Sequence, residues 1–320
     1  MSDDTGLIVV SGLTKRFGRV TAVDGLSFSA APGLVTGFLG PNGAGKTTTL
    51  RMLAGLVAPD AGTATITGCP YAALGSPGRA AGVVLEAAGF HPARTGRDHL
   101  RVYCTACGYP PRRADEVLQI CGLAAAGRRK VGGYSLGMRQ RLALAAALLG
   151  DPAALILDEP ANGLDPEGIA WLRGLLRDYA RSGRTVLYSS HVLPEVELLA
   201  DQAVIISRGR LVRHGTLAEL TGGRGGLEQV FLSLTGRSPP SPKFSIVWSS
   251  LLPLDDSEHP DPGLRLRQLP GKRRAAGISP HDGRSLPAVD IDDAAGEQLL
   301  IRIIGHNQAR RFQRNARSEA

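Results

Sequence analysis

Apolar and polar positions along the chain fall into successive regimes. From Leu7 to about residue 85, short apolar runs are cut by Gly and Pro, a pattern that predicts strands joined by turns. Between about 90 and 150 the spacing becomes helical, predicting helices over 98–108 and 114–122 and a longer, apolar-faced one over 137–149. Strands and helices then alternate: a strand at 154–157, a helix at 169–182, a strand at 185–189, a helix at 195–201 and a strand at 203–207. Such alternation implies an α/β fold, a mostly parallel sheet covered by helices, with the helical stretch inserted as a subdomain. After about Thr235 the pattern is lost. The last 85 residues hold 9 of the 21 prolines, and only 246–254 and 298–304 are apolar. The chain therefore reads as one domain over 1–235 and a Pro-rich tail over 236–320, expected to be largely disordered.

The most informative segment lies between two predicted elements. Gly40, Pro41, Asn42, Gly43, Ala44, Gly45, Lys46 and Thr47 have the G-x-x-x-x-G-K-[ST] spacing, with an apolar strand at 35–39 before them and a helix from Thr48 to Ala54 behind. Glycines let backbone N–H groups approach an anion closely, and the helix start adds partial positive charge. Lys46 is placed to reach the β- and γ-phosphates of a nucleotide and the Thr47 hydroxyl to ligate Mg²⁺, with Thr48 completing the cradle.

Three further stretches add chemistry. The apolar strand at 154–157 ends in Asp158 and Glu159, where an α/β sheet aims residues at its ligand crevice. Asp158 is expected near Mg²⁺, and Glu159 is placed to orient or deprotonate an attacking water. Ser135 is suited to cap the helix that follows it, and with Gly137 it offers a second anion-binding helix start. His191 follows the strand at 185–189, where its imidazole could hydrogen-bond a γ-phosphate.

Composition narrows the setting. With 43% hydrophobic and 21% charged residues the chain falls in the ordinary soluble range. Neither 142–149 nor 244–254, the longest apolar runs, approaches the ~18 residues of a membrane span. The start Met-Ser-Asp-Asp-Thr lacks the features of a signal peptide, so a cytoplasmic location is expected. The net charge of +8 is spread along the chain, +5 over 1–235 (24 basic, 19 acidic) and +3 over 236–320 (13 basic, 10 acidic). Such spreading argues against a dedicated nucleic-acid patch. The pair Cys104 and Cys107 has no second C-x-x-C or His pair to complete a zinc site, and reduced thiols are expected.

Together these residues resemble the nucleotide-binding domain of the ATP-binding cassette superfamily, from about Leu7 to Thr235. Residues 40–47 match the family's Walker A motif, and 155–159 its Walker B with the catalytic glutamate, Glu159. Residues 134–138 stand where the signature L-S-G-G-Q falls, with Ser135 23 positions before Asp158. Asn162, Gly163, Leu164 and Asp165 match the D-loop, His191 the switch histidine, and Phe17 the aromatic that stacks on adenine. Two departures stand out. The signature reads Y-S-L-G-M, and Glu86 replaces the Q-loop glutamine, putting a negative charge beside the phosphates.

The S-L-G-M-R-Q-R-L string and Glu86 are similar to the daunorubicin- and bacitracin-resistance type exporters. The resemblance implies a P-loop NTPase core with a mostly parallel sheet, an N-terminal antiparallel β portion and a helical subdomain at about 90–150. It implies ATP and Mg²⁺ as ligands and a head-to-tail dimer with a second copy, in which Lys46 of one faces Ser135 of the other across one ATP. It also implies a separate integral-membrane permease, a peripheral place on the cytoplasmic face of the membrane, and outward transport of drugs, antibiotics, lipids or polysaccharides. No nucleic-acid partner is expected. A soluble cassette acting on ribosomes or nucleic acid, and an importer subunit, are the alternative readings.

Overall fold

The computed structural model describes residues 7–85, 89–222 and 226–235, all within one compact unit. Glu86 and the tail over 236–320 lie outside the described residues. The chain opens with β1 (Ile8–Phe17), β2 (Val20–Ala30) and β3 (Val35–Leu39), then α1 (Lys46–Leu53) and β4 (Ala61–Ile66). A short α2 (Pro77–Ala80) leads into β5 (Ala81–Val84). Three helices follow, α3 (Gly96–Cys107), α4 (Arg112–Ile120) and α5 (Leu136–Ala147). Strands and helices then alternate as β6 (Ala154–Leu157), α6 (Pro166–Arg181), β7 (Thr185–Ser190), α7 (Leu193–Leu199) and β8 (Gln202–Ser207). The described part ends with β9 (Arg210–Thr216), α8 (Leu217–Thr221) and α9 (Leu227–Thr235).

Two sheets form. A six-stranded sheet runs β5-β6-β7-β3-β8-β9, parallel throughout except for the antiparallel β8–β9 pair. A three-stranded antiparallel sheet runs β2-β1-β4. Every residue of β3, β6 and β7 is buried, as expected for parallel strands covered on both faces; β6 is apolar throughout, while Thr36 in β3 and Thr185, Ser189 and Ser190 in β7 are buried polar residues.

The pleat sorts side chains into two cores. Ala154 and Ile156 join Phe38, Leu187, Val204 and Ile206 against the smaller sheet, with Phe28 stacked on Phe38 at 5.2 Å between ring centroids. Leu155 and Leu157 face the other way, packing with Val35, Leu39 and Val186 among the helices. Each fully buried Leu or Phe here is worth about 2–3 kcal/mol of transfer free energy.

Helix limits follow caps. Thr95 Oγ1 accepts the Asp98 N–H at 3.1 Å and starts α3, which ends at Gly108 with φ 71°. Asp165 Oδ1 accepts the Gly168 N–H at 2.8 Å, and Pro166 occupies the first turn, so α6 begins a turn before the expected 169. Strand β9 and helices α8 and α9 were not expected from the apolar pattern. Residues 210–216 are mostly exposed, and a hairpin turn at Arg208 and Gly209, with φ 49° and 79°, folds them onto β8.

Candidate active site

Three adjacent strands of the larger sheet, β6, β7 and β3, deliver the site from their C-terminal ends. The loop after β3 is tightly enclosed. A Cβ on Gly40 would fall 2.7 Å from the Ile206 carbonyl oxygen, and one on Gly45 would fall 2.4 Å from that of Ala22. Gly45 also has φ 102°, a conformation closed to other residues, so only glycine fits there. Pro41 accepts the Ala44 N–H at 3.0 Å, closing the turn, while Asn42 and Gly43 are exposed at its tip. Helix α1 then starts at Lys46 with no side-chain cap on its first N–H groups, an arrangement that favours an anion.

Lys46 is 7% exposed, donates to the Gly40 carbonyl at 2.7 Å and stands 4.0 Å from Glu159 Oε1. Burial holds its amine below the usual lysine range, against the opposing pull of Glu159 and Asp158. The Thr47 hydroxyl donates to Asp158 Oδ2 at 2.7 Å. Thr48, half-buried, sits in the same first turn.

The second strand end is fixed by its neighbour. Leu157 pairs with Tyr188, which brings Ser189 beside the Asp158–Glu159 step. The Ser189 hydroxyl donates to Asp158 Oδ1 and accepts the Glu159 N–H at 2.9 Å, while the Asp158 N–H donates to the Val84 carbonyl at 2.7 Å. Glu159 adopts φ 49°, left-handed for a residue other than glycine, a strain of about 1–3 kcal/mol that these contacts hold in place. Its Oε2 lies 2.7 Å from His191 Nδ1. A carboxylate only accepts, so this contact requires the proton on Nδ1.

Lys46, Thr47, Asp158, Glu159 and His191 are thus brought into one cluster, with Ser189 as a member that the sequence reading missed. A register argument from β6 to β7 could have found it. His191, expected near a γ-phosphate, contacts Glu159 through Nδ1.

Ser135, Gly137 and Asp165 form a second group. Ser135 Oγ accepts the Met138 N–H at 3.2 Å and caps α5. A Cβ on Gly137 would fall 3.3 Å from the Gly163 carbonyl, so the start of α5 lies against the loop that leads into Asp165. Among the described residues no hydrogen bond or ion pair joins this group to the Lys46 cluster. Phe17 is 51% exposed at the end of β1, with Lys15 Nζ 5.5 Å from its ring centroid. It pairs with Val20 at the start of β2, the strand whose Ala22 abuts Gly45.

A glycine-lined loop between a buried parallel strand and a helix, facing an aspartate and a glutamate two strands away, defines a P-loop NTPase of the α/β class. A family model described as ABC transporter matches residues 23–162. The bacitracin transport ATP-binding protein BcrA of Bacillus licheniformis is 43% identical over 211 residues, covering 65% of this chain and 69% of that protein. The Nod factor export ATP-binding protein I of Ralstonia nicotianae is 40% identical over 225 residues, covering 68% of this chain and 69% of its own length. Among solved structures, one described as an ATP binding subunit of an ABC transporter superposes with a TM-score of 0.65 at 27% identity, over 71% of this chain and 99% of that one. The chain belongs to the ABC transporter family and is one of its ATPase cassettes.

Proposed function

We propose that this protein is the ATP-hydrolysing subunit of a membrane exporter, with residues 1–235 as the cassette. The observation that carries the reading is the convergence of Lys46, the Thr47–Asp158 pair and the Glu159–His191 pair at neighbouring strand ends. Backbone N–H groups of Gly43 and Gly45 and the Lys46 amine hold the phosphates of ATP, and Phe17 offers its exposed face to the adenine.

Thr47 and Asp158 fit a Mg²⁺ ion. Both are hard oxygen donors, 2.7 Å apart, and Mg²⁺ is commonly held by one or two protein oxygens with substrate phosphates and water completing the shell. Bound there, the ion would supply neutralisation of phosphate charge. Glu159, oriented by His191 and by its own hydrogen-bonded backbone, accepts a proton from the attacking water.

Ser135, Gly137 and Asp165, away from the Lys46 cluster, serve the nucleotide of a second copy in a head-to-tail dimer. The relatives named for bacitracin transport and Nod factor export favour outward transport through a separate integral-membrane permease. No helix among the described residues is long and apolar enough to cross a membrane, which fits a peripheral subunit on the cytoplasmic face.

The test is ATP turnover by the purified chain, followed by light scattering of Glu159→Gln with millimolar ATP. Dimerisation on ATP, reversed by removing nucleotide, is expected. Turnover per molecule that is independent of protein concentration, in a strictly monomeric protein, would overturn the composite site. Recovery in membranes only when a candidate permease is co-expressed tests the partner.

A further inference from the structure

Helices α5 and α6 are capped by Ser135 and Asp165 of the second group, and two side-chain contacts link α5 to α6 and to the loop before it. At their starts, Leu136 is packed so closely on Gly163 that a Cβ there would meet its Cδ2 at 2.3 Å, while Gly137 lies against the Gly163 carbonyl. One turn further along, the Arg141 guanidinium carbon sits 4.3 Å from the centroid of the Trp171 ring. Arg141 makes no salt bridge among the described residues; its guanidinium carbon lies over the half-buried indole face, while Nη1 reaches the turn at Gly122, where an added Cβ would meet it at 2.9 Å. Trp171 and Leu164 also pack on the helical core that contains Leu142 and Leu144 of α5.

We propose that Arg141 and Trp171 are positioning residues that clamp α5 to α6, so that Ser135 and Asp165 are presented as one rigid piece to the nucleotide held by the opposite copy. One contact at the helix starts leaves the helices free to rotate about it. A second contact a turn away removes that freedom, and a planar guanidinium on an indole face is more demanding in geometry than aliphatic packing. The inference rests on the composite-site reading above: neither residue touches the nucleotide, and the clamp acts through Ser135 and Asp165.

The experiment uses the full chain with Trp171→Leu, Trp171→Phe, Arg141→Met, Arg141→Lys and the double change Arg141→Met with Trp171→Leu. Loss of the clamp is expected to lower kcat by about three- to ten-fold with little change in KM for ATP. In the Glu159→Gln background, ATP-driven dimerisation should weaken by the same factor. Trp171→Phe, which keeps an aromatic face, should restore most of the rate, and the double variant should be no worse than the poorer single one. Trp171→Leu with native kcat and dimerisation, strictly additive effects, or a Phe variant as poor as Leu would each overturn the clamp alone. Glu159→Gln protein with native Arg141 and Trp171 that stays monomeric in ATP would overturn the composite site and the clamp together. Where Trp171→Leu fails to fold, Arg141→Met, which keeps its apolar stem, decides the question.

Discussion

His191 Nδ1 and Glu159 Oε2 stand 2.7 Å apart across the ends of two adjacent strands, so the orientation of the carboxylate depends on a residue 32 positions later in the chain. Glu159→Gln removes the proton acceptor while keeping the shape. We expect ATP hydrolysis to fall by about 10²–10⁴-fold with nucleotide binding retained. His191→Ala should fall within the same range with a native melting curve, because the ring is half exposed and supports no core. Steady-state turnover together with equilibrium binding of a fluorescent ATP analogue separates the two effects.

Lys46 is held in an environment that disfavours its charge, chiefly through burial. Lys46→Met is therefore expected to abolish ATP binding yet leave the nucleotide-free protein as stable as the native chain, or more stable by a few degrees in Tm. The pH dependence has a definite sign. The folded-state pKa lies below the unfolded value of about 10.5. Between the two the unfolded chain binds more protons, so native stability attributable to this group rises with pH across that window. The stability advantage of Met should accordingly shrink as pH approaches 10.5, which denaturant titrations at pH 7.5 and 10 would measure.

Two glycines of one loop should respond very differently to alanine. At Gly45, φ is 102° and an added Cβ meets the Ala22 carbonyl at 2.4 Å, so Gly45→Ala should cost about 2–4 kcal/mol and impair ATP binding. Gly43 has φ 79° with open space around its Cα, and Gly43→Ala should cost only about 1 kcal/mol. Urea unfolding of the two variants side by side reads the difference.

Adjacent hydroxyls on β7 make the opposite contrast. Ser189 bridges Asp158 and the Glu159 N–H, so Ser189→Ala leaves two buried groups unpaired, at about 1–3 kcal/mol, and should lower kcat as Glu159 loses its anchor. Tyr188 is 3% exposed, its hydroxyl has no hydrogen-bond partner among the described residues, and burial pushes its pKa far up. Tyr188→Phe should be neutral or stabilising by about 1 kcal/mol. Thermal unfolding, with turnover measured in parallel, tests both.

The sequence revealed elements in proportion to how fully they are buried. Strands β3, β6 and β7 are buried on both faces, so their apolar runs identified them, and the glycine spacing placed the phosphate loop between β3 and α1. Strand β9 was invisible because Arg210, His214 and their neighbours are exposed and its pairing is set by a two-residue turn. The start of α6 was misplaced because its cap, Asp165, was read as a loop residue of the site. Membership of the cluster was legible where chemistry restricts the residue type, as at Lys46, Asp158 and Glu159. The bridging by Ser189 was not, since it depends on which residue of β7 lies beside which residue of β6, and serine at a strand end carries no such mark. Likewise Arg141 over Trp171 joins helices 30 residues apart, a pairing that no local pattern encodes.

The order β6-β7-β3 carries a further implication for how this site can change. Parallel strands are spaced by peptide hydrogen bonds at about 4.8 Å, so the backbones of β6 and β3, which carry the acidic pair and the glycine loop, are held roughly 10 Å apart by a ruler made of main chain. Swapping side chains cannot lengthen or shorten that ruler. Remodelling of this protein's chemistry, by selection or by design, is thereby confined to the residues just past the three strand tips.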